Sequence, residues 1–318
     1  MGGNALKNVK TIRKNPKEYF EIKNQVKNIL LDKGIIIDFI PELYDKESFG
    51  DLDVLWSPVQ NSYIIMRDII IEVFKPNEIV TNGDVISFDL ENFQIDMIKC
   101  STIEFAKFYF SYGDFGSIIS ILLKKYDMTF GHNGFFTQIE KNYTLVITKD
   151  VNEFCNFIKI DLEKWKSIKT KIDMFELIKS CRFYKKEFFK STNYYHRKRI
   201  LHRPLYSEFL KYIGIDDEDF EETKLNLDDK PTVFEEAISY FNKKQDIDTI
   251  LKSIQKSKDI HNKFNGDILK ERGYTGIQIG NIIKAFKSKH VDFDEWIYTT
   301  KQEEIMESLD ELIKNLKI

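Results

Sequence analysis

The sequence predicts an α+β fold in which a small mixed or antiparallel sheet with flanking helices occupies residues 1–150 and a mostly α-helical region follows. Three observations carry this expectation. Short β-branched runs with period-two alternation fall within the first 150 residues, apolar residues at helical spacing dominate everything after that, and 318 residues suffice for two or three cores.

The elements follow in order. Tyr19, Ile22, Val26, Ile29 and Leu30 recur at helical spacing after Pro16, so a helix runs to about Lys33 and ends at Gly34. Ile35–Ile40 is a β-branched strand stopped by Pro41. After a loop through Tyr44–Gly50, Asp51–Trp56 reads as a second strand whose two aspartates share one face while Leu52 and Val54 share the other. A helix near 63–74 leads through the turn signal Asn82-Gly83-Asp84 into a hairpin of Val85–Phe88 and Phe93–Ile98. The stretch 102–126 reads as helix interrupted at Gly113–Gly116, and 144–148 as an edge strand. Helices are expected at 151–157, 174–189, 204–213, 234–241, 247–264, 275–286 and 303–318. The acidic, turn-rich segment 216–231 reads as a linker between a helical region, 151–215, and a C-terminal helical domain, 232–318.

The formal net charge of −3 leaves no global positive field for a polyanion, so any nucleic-acid surface is a local patch. Cys100, Cys155 and Cys181 form no C-x-x-C pair, which argues against a disulfide framework and a structural zinc site. The N-terminus lacks the apolar core of a signal peptide, and no apolar run approaches the roughly 20 residues a membrane helix needs. A reduced, cytoplasmic protein is expected, and the abundance of Lys, Asn, Ile, Phe and Tyr points to an AT-rich genome such as a virus's.

Asp51 and Asp53 on one strand and Asp96 on another are what two-metal phosphoryl transfer requires. Carboxylate oxygens suit Mg²⁺ or Mn²⁺, and two ions roughly 3.5–4 Å apart clamp the attacking and leaving oxygens of an in-line displacement. A lone D-x-D also fits a solvated strand face. Here the motif lies in an apolar strand after Lys-Glu-Ser-Phe-Gly and is joined by a third strand acid. Bringing such acids together without cations costs several kcal/mol per uncompensated charge.

This combination resembles the polymerase β-like nucleotidyltransferases, among them CCA-adding enzymes, poly(A) polymerases, aminoglycoside nucleotidyltransferases and second-messenger synthases. The resemblance covers about residues 35–100. It implies that Asp51 and Asp53 hold both metals, and that Asp96 holds the catalytic one and helps activate the acceptor hydroxyl. The family's Gly-Ser pair upstream of D-x-D is missing at its usual spacing, so Lys46, Ser48 and Gly50, or the Gly2-Gly3 pair, are the candidates for the triphosphate. The segment Gly266-Asp267-Ile268-Leu269 … Gly276-Ile277-Gln278-Ile279-Gly280 is similar to a helical stretch of CCA-adding enzymes, although a plain helical hairpin explains it nearly as well.

Tyr112 and Lys124, with His132, lie where this fold shapes a nucleotide pocket, though tight turns and a solvated helix face explain them as well. The most basic segment, Lys185–Arg203, carries Lys186, Arg197, Arg199 and Arg203 among Phe188, Phe189, Tyr194 and Tyr195. Cations that neutralise phosphates beside aromatics that stack on bases hold single-stranded nucleic acid. The same residues also fit a solvated loop with its rings packed inward. The expected activity is template-independent transfer of NMP from NTP to a nucleic-acid 3′ hydroxyl, RNA being the acceptor class, with tRNA one candidate within it. The rivals are a small-molecule, protein-hydroxyl or second-nucleotide acceptor, and a silent nucleic-acid-binding scaffold.

Overall fold

The computed structural model describes residues 4–58, 65–190, 203–216 and 227–316. The chain divides into two compact units, Met1–Lys243 and Lys244–Ile318.

The first unit opens with helix α1 (Pro16–Asp32), started by an Asn15/Glu18 capping box with Pro16 in its first turn. Its apolar stripe, Tyr19, Ile22, Val26 and Leu30, is buried. Strands β1 (Ile37–Phe39) and β2 (Asp51–Trp56) follow, then helix α2 (Met66–Phe74) and strands β3 (Ile79–Asn82), β4 (Val85–Leu90) and β5 (Phe93–Lys99). They form one mixed sheet of order β1-β2-β5-β4-β3. Only the β2/β5 pair is parallel, with Asp53 opposite Asp96 and Leu55 opposite Ile98. On one face Leu52, Val54, Trp56, Phe93, Ile95 and Met97 pack into the core with the stripes of α1 and α2. On the other face Leu55 and Ile98 meet Ile103 and Ala106 of helix α3 (Ile103–Phe110).

Helix α4 (Phe115–Lys124) folds back on α3. Gly116 makes this possible, because a Cβ there would stand 2.0 Å from the Tyr109 carbonyl oxygen. A second, antiparallel sheet of order β6-β7-β8 comprises Met128–Gly131, Gly134–Glu140 and Tyr143–Thr148. Helices α5 (Val151–Ile158), α6 (Leu162–Lys166), α7 (Lys171–Lys179), α8 (Glu187–Lys190), α9 (Pro204–Tyr212) and α10 (Lys230–Tyr240) complete the unit. The second unit holds helices α11 (Lys244–Lys263), α12 (Gly266–Glu271), α13 (Gly276–Ser288), α14 (Phe293–Thr299) and α15 (Gln302–Leu316). Its own core contains Phe264, Leu269, Ile282, Phe286, Ile297 and Leu309. Among the described residues no helix is long and apolar enough to cross a membrane.

The expected α+β architecture is present, with differences that have physical reasons. Asn82-Gly83-Asp84 closes a β3/β4 hairpin, and β3 escapes sequence reading because Ile79–Asn82 is four residues long with only two of them apolar. The β4/β5 turn is made by Glu91 and Asn92, both at positive φ. The Gly131–Gly134 segment around His132 is the tight turn of a β6/β7 hairpin whose strands the sequence does not announce. The helix expected over 174–189 stops at Lys179, capped by Ser180, before the buried Cys181 and Phe183. The division at Lys243/Lys244 lies beyond the acidic segment expected to separate the helical parts, because Phe157 of α5 packs on Tyr240 and Phe241. Residues 217–226 of that segment lie outside the described residues.

Candidate metal centre

Strand alternation puts Asp51, Asp53 and Leu55 on one face of β2, and the parallel register sets Gln94, Asp96 and Ile98 beside them on β5. The C-terminal pair, Leu55 and Ile98, is roofed by α3, while the pairs before it present acids. One carboxylate oxygen from each of Asp51, Asp53 and Asp96 lies within 4.8 Å of the others, and all three residues are half-buried. Such a set offers only hard oxygen donors, which fits Mg²⁺ or Mn²⁺ rather than zinc or copper.

The electrostatics express the crowding. Burial holds the Asp53 carboxyl well above the usual carboxylate range, and Asp51, Asp96 and Glu42 push it further up while Lys46 pulls it down. Burial also raises Asp96, opposed by hydrogen bonds from Ser87 and Gln94. The Tyr19 hydroxyl is raised by burial and by Glu42, Asp53 and Asp51, and its ring stacks on Phe49 at 3.8 Å.

Gln94 is a residue the sequence reading missed. Its Nε2 donates to both oxygens of Asp96, at 3.0 and 2.9 Å, and its Oε1 accepts the Ala5 N–H at 2.9 Å. Period-two alternation was the signal for it, since Gln94 and Asp96 are two apart on one strand. The N-terminal arm is thereby tied to the third acid. Farther along, the N–H groups of Lys7, Asn8 and Val9 converge on the Glu78 carboxylate, and Arg13 donates to the Ser48 hydroxyl at 3.0 Å and carbonyl at 2.8 Å. Gly2 and Gly3 lie outside the described residues.

Of the candidate phosphate residues, Lys46 stands beside the acids, ion-paired to Glu42 at 2.7 Å with its ammonium over the Phe49 ring. Ser48 is engaged by Arg13, and Gly50 is buried immediately before β2. Tyr112 is buried, its hydroxyl donating to the Trp165 carbonyl at 2.9 Å. An open cleft of about 810 Å³ is lined by Lys23, Glu42, Lys46, Phe49, Tyr112 and Trp165 among others; the three acids do not line it, and Glu42, Lys46 and Phe49 connect it to them.

Lys124 is elsewhere. It lines a smaller cavity of about 210 Å³ together with Arg203, and none of the three acids borders it. Arg203 is paired there with Asp114 and donates to the Ser117 hydroxyl at 3.0 Å. A nucleotide residue and a nucleic-acid residue of the sequence reading thus share one cavity. His132, offered as a base-stacking residue, lies against Phe110 in the β6/β7 turn. In the basic segment Lys186 is half-buried, while Phe188 and Phe189 are core residues and no stacking platform. Arg197, Arg199, Tyr194 and Tyr195 lie outside the described residues.

No family model matches the chain, and no curated protein matches it.

Proposed function

We propose that the chain is a metal-dependent nucleotidyltransferase of the polymerase β type, moving a nucleoside monophosphate from an NTP to the 3′ hydroxyl of an RNA. The observation that carries the reading is the convergence of Asp51, Asp53 and Asp96 on two adjacent parallel strands. Three half-buried acids repel one another and lose hydration, a cost that cations offset, so the arrangement is expensive unless it binds them. A silent scaffold gains nothing from it.

Bound divalent ions would supply charge for the triphosphate and lower the pKa of the attacking hydroxyl. Asp51 and Asp53 would hold them. Asp96, oriented by hydrogen bonds from Gln94 and Ser87, would join Asp51 and Asp53 on the catalytic ion and help activate the acceptor hydroxyl. Lys46 beside Asp53 is placed to meet phosphate once Glu42 releases it. The RNA acceptor rests on the composition of the Lys185–Arg203 segment.

Incubation of the full chain with labelled RNA, each NTP and Mg²⁺ tests the reading. Extension that disappears in Asp51→Ala and Asp53→Ala is expected. Transfer to a small molecule or protein instead would move the acceptor, and undiminished activity in both variants would sink the class.

A further inference from the structure

The cleft beside the acids contains a cation that the proposed site does not yet use. Four lysines line it, Lys23, Lys46, Lys107 and Lys166. Three are neutralised: Lys46 by Glu42 at 2.7 Å, Lys107 by Asp38 at 2.6 Å and Lys166 by Glu163 at 2.7 Å. Lys23 has neither an ion pair nor a hydrogen bond among the described residues. Its ammonium lies over rings, 4.8 Å from the Phe39 centroid, 5.8 Å from Phe20 and 5.9 Å from Tyr19, and the carboxylates of Glu42 and Asp38, each already paired to another lysine, act on it only at longer range. The side chain is half-buried, and burial costs its charge more than Glu42 and Asp38 return without a direct ion pair, a cost that an anionic ligand offsets.

Position selects the ligand. Tyr19, one of the rings under Lys23, stacks on Phe49 two residues before Asp51 and feels the charges of Asp51 and Asp53. Glu42 acts electrostatically on both Lys23 and Asp53. Lys23 and Lys46 line the same cleft, and Lys46 in turn acts on Asp53, so the cleft meets the carboxylate centre through the Glu42/Lys46 wall although the three acids do not line it. The wall between them is otherwise neutral, since Lys46 and Glu42 cancel. An anion there must carry several charges close together and reach the acids through bound cations, which describes a polyphosphate.

We propose that Lys23 is a triphosphate-binding residue of the cleft, an ionic contact in place of the neutral hydrogen bonds that a Gly-Ser loop would provide; this rests on the nucleotidyltransferase reading. An ammonium over rings meets phosphate as a point charge, and arginine keeps both the charge and the ring contact, so Arg should replace it and neutral side chains should not.

The test is isothermal titration calorimetry of magnesium tripolyphosphate, without nucleoside or RNA, into the full chain. Wild type and Lys23→Arg should bind alike, while Lys23→Met and Lys23→Gln weaken binding by about tenfold or more, the scale of a charge-assisted contact. Lys33→Met, which breaks an exposed pair with Glu72, should leave binding unchanged. Equal binding in wild type and Lys23→Gln, loss in Lys23→Arg equal to that in Lys23→Gln, or no binding by wild type overturns the proposal. Circular dichroism melts of the Arg and Gln variants show whether folding is at fault. The two readings separate cleanly: tripolyphosphate binding that needs Lys23, without nucleotide transfer, would leave this site and remove the transferase, and transfer indifferent to Lys23 would do the reverse.

Discussion

Replacing Asp53 with Asn should stabilise the metal-free protein. At the 4.8 Å limit that bounds the three acids, two carboxylates repel by about 332/(20 × 4.8) ≈ 3.5 kcal/mol at an effective dielectric constant of about 20. Asp53 faces two such neighbours. It can escape by taking a proton, which at pH 7 costs about 1.36 × (7 − 3.8) ≈ 4.4 kcal/mol relative to the unfolded chain, so this value caps the penalty. Because the amide also loses some favourable contacts, a gain of about 2–4 kcal/mol is expected, or roughly 4–16 °C in Tm for a unit of this size. The sign with pH follows from the raised carboxyl. Below about pH 3.8 both folded and unfolded chains are protonated and the variant has no advantage; as pH rises the folded state retains the proton longer, and the advantage grows by up to about 1.4 kcal/mol per unit until the folded carboxyl ionises, then levels off. Mg²⁺ should offset or reverse the ranking, stabilising wild type by about 4.1 kcal/mol at a thousand times its Kd and leaving the variant unmoved. Urea melts in EDTA and in Mg²⁺ at several pH values measure all three effects. A variant less stable than wild type in EDTA at pH 7, or equally stabilised by Mg²⁺, would refute the reasoning.

Gln94→Leu should lower Mg²⁺ affinity by about 10–100-fold, the usual effect of losing the residue that orients a metal ligand, measured by the Mg²⁺ dependence of Tm or of transfer. Glu78→Ala should free the N-terminal arm, seen as faster hydrogen exchange at the amides of residues 7–9 while β4 and β5 keep their protection. Gly116→Ala should cost about 3 kcal/mol by thermal melt, because its Cβ meets the rigid Tyr109 carbonyl rather than a movable side chain.

The carboxylate centre was legible because strand alternation is a rule of local geometry. Once Asp51–Trp56 and Phe93–Ile98 are strands, the face of every residue follows, and only their pairing remained to be learned. The pairing itself is parallel, which needs a crossover; α2 and the β3/β4 hairpin supply it, and β3 is too short to announce itself. Phe188 and Phe189 misled for a complementary reason. Composition near lysines looks like a stacking surface, whereas burial is decided by partners far along the chain, such as Phe209 on Phe189.

Lys23 shows the limit most plainly. On helix α1 it stands one position after the buried Ile22, where a lysine is ordinarily a solvated residue, and no spacing rule marks it. Its character comes from Phe39 of β1, which arrives through the fold and not through the sequence neighbourhood. Pattern therefore finds groups whose chemistry depends on their own strand, here the acids. It misses groups whose chemistry depends on absence of a partner, because an absent ion pair can be recognised only after all the other pairs in the cleft have been placed.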